Sequence, residues 1–190
     1  DSVGEHGEYA WAIASPGRRY GQVLASRHPI READIHDLSV DGREPRRAIE
    51  ATLEIGRGRT LRVIATHLGL GLWERREQQA RLRAIINNAP SEPLVVLGDF
   101  NNWLMERRAT GLAGVMPERT ANRTFPSRFP FLPLDRIWLK PMGMLAGSRA
   151  LRRYRKASDH LPLFAEIEVS DALAEAAPPV MQSGDAAIRS

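Results

Sequence analysis

The 190-residue sequence contains no cysteine and only two lysines, so its 27 cationic residues are almost all arginine. Without cysteine the chain cannot hold a disulfide scaffold, a thiolate zinc site, an iron–sulfur cluster or a cysteine nucleophile. Cysteine-free proteins occur in every redox environment, so this absence does not indicate a compartment. Long apolar runs are also missing. No window approaches the roughly 18 apolar residues of a membrane span, which predicts no transmembrane segment.

The beginning of the sequence lacks a basic segment followed by an apolar run, so no signal peptide is predicted and we expect a cytoplasmic protein. The composition, 43% hydrophobic and 26% charged, is typical of one globular domain. We predict that domain over residues 1–170. Residues 171–190 are rich in alanine, proline, serine and glycine and have little periodicity, which favours a flexible tail.

The net charge of +4 mildly favours an anionic partner. Arginine presents a planar fork of donors that suits phosphate. A solvated basic surface accounts for the same charge equally well. The basic segment 149–156 favours a polyanion such as DNA, although the sequence has no ordered stripe of cations with interleaved aromatic residues, as a single-strand binder would.

Hydrophobic periodicity predicts a chain dominated by strands, with two helices inserted between them. Strands are predicted at 4–14, 20–26, 48–55, 61–67, 94–97, 135–139 and 163–169, and the third and fourth form a hairpin around Arg57-Gly58. One helix is predicted over 73–88 and a shorter one from Asn102 to Gly111. This order predicts an α/β sandwich with mixed sheets.

The segment Gly98-Asp99-Phe100-Asn101 follows a short, wholly apolar strand. Alternation along a strand places Asp99 and Asn101 on one side and turns Phe100 into the core. A carboxylate and an amide oxygen at a strand end suit Mg²⁺. Gly-Asp and Asn-Asn are also common turn formers, and the residues alone favour neither interpretation.

Three further segments place polar residues next to predicted strands. Asp159 and His160 are neighbours and point to opposite faces of extended backbone, so each needs another partner; a turn is the favoured interpretation. Asp135 opens an apolar strand, where a histidine could satisfy it, although a surface salt bridge to arginine is favoured. His67 ends an apolar strand and alone is more typical of a structural histidine.

The order of these motifs resembles the endonuclease/exonuclease/phosphatase superfamily, and among its members the small bacterial proteins. Gly-Asp-Phe-Asn is followed by Leu134-Asp-Arg-Ile and then by Ser158-Asp-His-Leu-Pro. The segment from Tyr20 to Ile30, the segment Glu44-Pro-Arg46 and the Thr66-His-Leu block are similar to further family segments. The superfamily includes pancreatic deoxyribonuclease, abasic-site endonucleases, neutral sphingomyelinases and inositol-polyphosphate 5-phosphatases.

The resemblance implies a four-layer α/β/β/α sandwich of two mixed β-sheets flanked by helices, with the N-terminal strands missing from this chain. It also implies metal-assisted hydrolysis of a phosphate ester, with Mg²⁺ or Mn²⁺ as cofactor. The substrate it implies is a nucleic acid, a phospholipid head group or a small phosphodiester. A catalytically impaired member that acts as a binding or scaffold module is the alternative.

The resemblance also assigns roles to residues. It implies that Asp99 orients or deprotonates the attacking water and that Asn101 holds this water or contacts the phosphate. His160 hydrogen-bonds the scissile phosphoryl group, Asp135 holds His160 in its useful tautomer, and His67 contacts the phosphate from the other side. The implied metal ligands are Asp99, Asn101 and Asp159, and the implied substrate-binding residues are Arg27, Arg46 and Arg128.

One departure concerns the metal site. The family's chief metal ligand is a glutamate on an early strand, ahead of the segment that matches Tyr20, and neither Glu5 nor Glu8 is assigned to this role. We therefore expect weak Mg²⁺ binding. Missing strands leave sheet edges unpaired, so we also expect self-association or partial disorder near residues 1–20.

Three aromatic residues, Phe125, Phe129 and Phe131, lie in a proline-rich segment shortly before Asp135. They could line a pocket or contact lipid. Packing in the core is the favoured interpretation, because large aromatic residues are mostly buried.

Overall fold

The computed structural model describes residues 4–15, 18–88, 93–102 and 111–169. The predicted tail and most of the predicted helix from Asn102 to Gly111 lie outside these residues. The elements are β1 His6–Ser15, β2 Arg18–Ser26, β3 Ile30–Asp37, β4 Arg47–Gly56, β5 Arg59–His67, α1 Leu72–Asn88, β6 Leu94–Asp99, β7 Glu118–Arg119, β8 Asp135–Lys140, β9 Leu145–Ala150 and β10 Leu163–Ile167.

The central layer is a mixed six-stranded sheet in the order β3-β4-β5-β6-β8-β7. The predicted hairpin is confirmed as β4 and β5, which pair from Ala48 with Thr66 to Gly56 with Arg59. Its two loop residues, Arg57 and Gly58, both have positive φ, as the tightest hairpin turns require. β5 and β6 are parallel, and α1 makes the crossover between them.

Helix α1 covers one face of this sheet. Its residues Leu82 and Ile86 are buried against the strands together with Ile64, Val96 and Trp138. Truncation of a side chain as buried as Leu82 costs about 2–5 kcal/mol, so this cluster holds the helix on the sheet.

Two hairpins cover the opposite face. β1 pairs with β2 and β9 pairs with β10, each as a separate two-stranded antiparallel sheet. Ala10 and Leu24 of the first hairpin and Leu145 and Ile167 of the second pack in one cluster with the inner side chains of the central sheet. The described residues thus form an α/β/β sandwich, and its second β layer is two short sheets rather than one continuous mixed sheet.

Three strands were not predicted, for different reasons. β3 is an edge strand whose residues are mostly exposed on both faces, so it lacks apolar alternation. After Leu145, β9 consists of small and polar residues, and β7 has only two residues. Among the described helices, none is long and apolar enough to cross a membrane.

Candidate functional site

Three polar residues lie side by side at one end of the central sheet. His67 ends β5, and the parallel register places it beside Asp99 at the end of β6. Asp99 is in turn paired with Asp135, which opens β8. We call these three residues the row. Their pairing depends on Gly98, because a Cβ at position 98 would come within 1.8 Å of the Thr66 carbonyl oxygen; the φ of Gly98 is +142°. A side chain at position 98 would therefore force β5 and β6 apart beside the site.

His160 reaches this row from the segment before β10. The Leu161 N–H donates to the Thr124 carbonyl at 2.8 Å, which fixes the segment beside the start of β8. Nδ1 of His160 lies 2.7 Å from Oδ2 of Asp135. The Phe125 ring packs on the imidazole with 4.9 Å between centroids. The histidine partner proposed for Asp135 is confirmed, and the surface salt bridge favoured from the sequence alone is wrong.

The row opens into a cleft of about 520 Å³. Seven of the nine predicted site residues line it: Arg46, His67, Asp99, Asn101, Asp135, Asp159 and His160. The other lining residues are Leu70, Phe125, Leu134 and Ser158. Of these, Phe125 was considered from the sequence; it lines the cleft and also packs on His160, so the two roles coincide.

The two remaining predicted residues do not line the cleft. Gln22, in the middle of β2, donates to the Arg47 carbonyl near the site, whereas the chain after Arg27 runs to the other end of β4, where the Glu54 N–H donates to the Pro29 carbonyl at 2.9 Å. Arg27 therefore lies at the far end of the strand from the site. Arg128 is exposed in the segment that begins with Phe125, outside the set of lining residues.

The two histidines face Asp99 from either side. Oδ2 of Asp99 lies 3.6 Å from Nε2 of His67 and 3.9 Å from Nε2 of His160. Both separations exceed a direct hydrogen bond, so each Nε2 can bind a water or ligand atom that lies beside Asp99. The arrangement can bind a phosphoryl oxygen or an attacking water near all three side chains.

The pKa values of the three groups shift in different directions. Burial raises the pKa of the Asp99 carboxyl, and the Asn101 N–H that donates to it at 2.9 Å opposes the shift. Burial, with the Arg46 guanidinium, lowers the pKa of His67. The hydrogen bond to Asp135 raises the pKa of His160. Titratable groups whose pKa values are shifted by their surroundings and that share one cleft are typical of acid–base catalysis.

Asn101 is held rigidly at the cleft. It is buried and adopts a positive φ of 49°, and its side-chain nitrogen donates to the Leu68 carbonyl at 2.8 Å. Phe100 is fully buried in the core and both polar neighbours line the cleft, as predicted, but β6 ends at Asp99, so Asn101 reaches the cleft from the segment after this strand and not from the strand itself. With the amide nitrogen engaged, the amide oxygen is the atom left for a ligand.

Arg46 brings positive charge to the cleft. Its side chain is buried and pairs with Glu44 at 2.9 Å. Its Nε atom has no hydrogen-bond partner among the described residues. Because Arg46 also lines the cleft, its guanidinium can face an anionic ligand there.

Buried polar residues of α1 support the loop that follows His67. The Gly69 N–H donates to Oε1 of Gln78 at 2.8 Å, and the Gly71 N–H donates to Oε2 of Glu74 at 3.2 Å. A Cβ at Gly69 would lie 1.8 Å from Oε1 of Glu74. Sequence analysis missed this support, although acidic and amide residues four apart on a weakly amphipathic helix were a usable signal.

Asp99, Asp135 and His160 each offer one ligand atom, and these atoms lie within 4.8 Å of one another. The hydrogen bond between His160 and Asp135 occupies one atom of each, which leaves the Asp99 carboxylate, with Asn101 and Asp159 in the same cleft. Mg²⁺ commonly takes one or two protein carboxylates and keeps several waters. The donor set therefore fits a hard divalent cation held with few protein ligands.

The sequence model of the Endonuclease/Exonuclease/phosphatase family matches residues 3–160. The uncharacterized protein YbhP of Escherichia coli strain K12 is 36% identical over 164 residues, covering 81% of this chain and 65% of YbhP. A UPF0294 protein of Vibrio campbellii is 26% identical over 156 residues, covering 78% of this chain and 54% of that protein. The chain thus spans less than two thirds of the length of these curated relatives.

Solved structures share the fold. A functionally unknown conserved protein from Enterococcus faecalis V583 has a TM-score of 0.70 at 17% identity, covering 87% of this chain and 77% of that one. An endonuclease/exonuclease/phosphatase from Beutenbergia cavernae has a TM-score of 0.66 at 18% identity, covering 86% and 53%. D. rerio TDP2 complexed with single strand DNA product has a TM-score of 0.59 at 17% identity, covering 86% and 77%. These likenesses confirm the predicted α/β sandwich.

Proposed function

The chain belongs to the endonuclease/exonuclease/phosphatase family, and on that premise we propose that it is a metal-dependent hydrolase of phosphate esters. The row of His67, Asp99 and Asp135 across three adjacent strands, completed by His160, is the observation that carries this proposal. Within one cleft it brings together Asp99 as the base, His160 as the hydrogen-bond donor and Asp135 as the carboxylate that positions His160.

A divalent ion, Mg²⁺ or Mn²⁺, would be held by Asp99, Asn101 and Asp159, and it would neutralise charge on the phosphoryl oxygens. Asp99 orients the attacking water or accepts its proton. The water oxygen forms the new bond to phosphorus as the bond to the leaving oxygen breaks.

His160 stabilises the charge that develops on the phosphoryl group. Oδ2 of Asp135 accepts the Nδ1–H of His160, with 2.7 Å between the two heavy atoms, and this turns Nε2 to the cleft; Nε2 carries a proton when the ring is cationic. The raised pKa of His160 keeps the ring cationic at higher pH, which strengthens its bond to a developing oxyanion. His67, whose pKa is lowered, faces the same region as a neutral imidazole, and Arg46 supplies a permanent charge.

The test is hydrolysis of bis-p-nitrophenyl phosphate with Mg²⁺, with Mn²⁺ and with EDTA. We expect turnover only with metal, and a loss of at least about 100-fold in Asp99→Asn. Asp34→Asn, at an exposed position of β3, is the matched control and keeps wild-type turnover. Turnover that persists in EDTA, or in Asp99→Asn, contradicts the proposal.

A screen of natural substrates comes next, and its members are chosen from what is bound in similar solved structures. The screen also tests the alternative function. A single-stranded oligonucleotide belongs in it because TDP2 was solved with a single strand DNA product. A protein that binds inorganic phosphate in the cleft but hydrolyses none of the esters is a binding or scaffold module instead.

A further inference from the structure

Large apolar side chains are exposed on two segments that adjoin the cleft. Leu70 lines the cleft and is 68% exposed, and Trp73, three residues later at the start of α1, is 76% exposed. On the other segment Phe129 is 80% exposed and Phe131 is 54% exposed. The favoured core-packing interpretation is therefore wrong for both phenylalanines. Apolar groups of this size gathered beside a cleft are typical of an interaction surface.

The second segment is tied directly to the site. The N–H groups of Phe131 and Leu132 donate to the Phe125 carbonyl at 3.0 and 2.9 Å, so residues 125–132 form a tight loop with Phe129 in its middle. The Ser127 N–H donates to the Asp159 carbonyl at 2.7 Å. The Ser127 hydroxyl donates to the Arg155 carbonyl at 3.0 Å. The exposed phenylalanines are thus fixed to the catalytic histidine segment and to the basic turn before it.

Exposed cations lie in the same segments and in the turn at 152–156 to which Ser127 is hydrogen-bonded. They are Arg76, Arg128, Arg152, Arg153, Arg155 and Lys156. The Arg76 guanidinium lies 4.8 Å from the centroid of Trp73, and the Arg153 guanidinium lies 4.7 Å from that of Tyr154. We call the exposed apolar residues Leu70, Trp73, Phe129, Phe131 and Tyr154, together with these six cations, the rim surface.

We propose that the rim surface docks the protein on an anionic phospholipid bilayer and that the ester delivered to the cleft is a phospholipid head group. The second half of this inference rests on the proposed function. Aromatic and aliphatic side chains enter the boundary between head groups and acyl chains, while arginine and lysine bind the anionic head groups. The head group's phosphate then lies at the level of the cleft that Leu70 and Phe125 line.

The same side chains fit a nucleic acid less well. Leu70 has no aromatic face on which a base could stack. Trp73 and Tyr154 each have one ring face covered by an arginine, whereas single-strand binders present aromatic faces as stacking platforms. Paired aromatic and cationic groups of this kind are suited to a membrane interface, where one end of the pair is apolar and the other charged.

The first experiment is co-sedimentation with vesicles of phosphatidylglycerol and phosphatidylcholine, beside vesicles of phosphatidylcholine alone, in EDTA. We expect binding to the anionic vesicles and a loss of about tenfold in Phe129→Ser. Met142→Ser is the matched control. Met142 is 66% exposed, and it follows β8 at the end opposite Asp135. Circular dichroism verifies that both variants are folded.

Tryptophan fluorescence locates the contact. Insertion of Trp73 predicts a blue shift on addition of anionic vesicles that is lost in Trp73→Phe. Absence of vesicle binding, or equal binding losses in Phe129→Ser and Met142→Ser, overturns the docking surface. Binding of a single-stranded oligonucleotide that depends on Phe129 while vesicles do not bind makes the surface a nucleic-acid surface, and this also overturns it.

Hydrolysis separates this inference from the proposed function. Vesicle binding without turnover of bis-p-nitrophenyl phosphate contradicts the hydrolase proposal and leaves the docking surface standing. Turnover of that ester without vesicle binding overturns the docking surface alone. Vesicle binding and ester turnover without cleavage of the vesicle phospholipid overturn the head-group assignment.

Discussion

Nδ1 of His160 lies 2.7 Å from Oδ2 of Asp135, across 25 residues of sequence. This contact fixes the ring orientation and the tautomer that direct Nε2 to the cleft. We expect Asp135→Asn to lower kcat for bis-p-nitrophenyl phosphate by about 100-fold or more. Histidine NMR titration of the metal-free variant should show a lower pKa for His160 than in the wild type. An unchanged pKa contradicts the role assigned to Asp135.

The same pair predicts a pH dependence of stability. A histidine whose pKa is raised in the folded state stabilises the fold below its unfolded pKa of about 6.5, and this stabilisation is lost as pH rises through the folded value. The pKa of His160 is raised. In EDTA, the excess free energy of unfolding of wild type over Asp135→Asn should therefore be larger at pH 5.5 than at pH 8.5. Urea unfolding of both proteins at the two pH values measures this difference in free energy. A difference that increases with pH contradicts the prediction.

Gly69 provides a steric prediction. Any side chain there would meet the Glu74 carboxylate that receives the Gly71 N–H. We expect Gly69→Ala to destabilise the fold by about 1–3 kcal/mol and to lower kcat, because it displaces the loop after His67. Gly114→Ala is the control, since nothing lies within 4 Å of a Cβ at that position. Equal stability of the two variants would refute the close packing.

The proposed cation site predicts an order of Mg²⁺ affinities for the wild type and two variants. Isothermal calorimetry should show weak Mg²⁺ binding, because Asp99 is the only carboxylate of the row that is not engaged with a histidine at hydrogen-bond distance. Asp99→Asn should weaken it further by about tenfold or more, and Asp159→Asn by less, since Asp159 is exposed. Asp34→Asn again serves as the control. Tight binding, or binding indifferent to Asp99, contradicts this site.

Arg46 provides a test of phosphate binding. Its buried side chain lines the cleft, and its Nε has no hydrogen-bond partner within the part of the chain that the structure describes. We expect Arg46→Gln to raise KM and the inhibition constant of inorganic phosphate by about tenfold or more, with a smaller effect on kcat. Arg31→Gln, an exposed position at the start of β3, should leave both constants unchanged. If Arg46→Gln lowers kcat and leaves KM and the inhibition constant unchanged, Arg46 acts in the chemical step and the binding role is contradicted.

Much of the architecture could be predicted from the sequence. Residues such as Ile49, Ala51 and Leu53 alternate with polar neighbours because one face of β4 is buried, and this pattern was sufficient to predict the strand. β3 could not be predicted in this way, since an edge strand with two exposed faces has no apolar alternation. Its position depends on long-range pairing with β4.

The site was predictable in composition and only partly in geometry. The strand ends drew attention to His67, Asp99 and Asp135, but only the family resemblance assigned them to one site. The contact between Asp135 and His160 depends on a fold that joins distant segments. Arg27 is a residue that was predicted for the site and does not lie in it. It follows β2 directly, and the direction of this strand places it away from the cleft.

The parallel register of β5 and β6 also constrains how this sequence can be aligned with its relatives. Neighbouring residues of a strand point to opposite faces, so removal of one residue ahead of Asp99 within β6 would turn its carboxylate away from His67 and change its pairing with Asp135. Insertions and deletions are therefore expected in the connections rather than in β6. An alignment that opens a gap between Leu94 and Asp99 has matched the wrong residues.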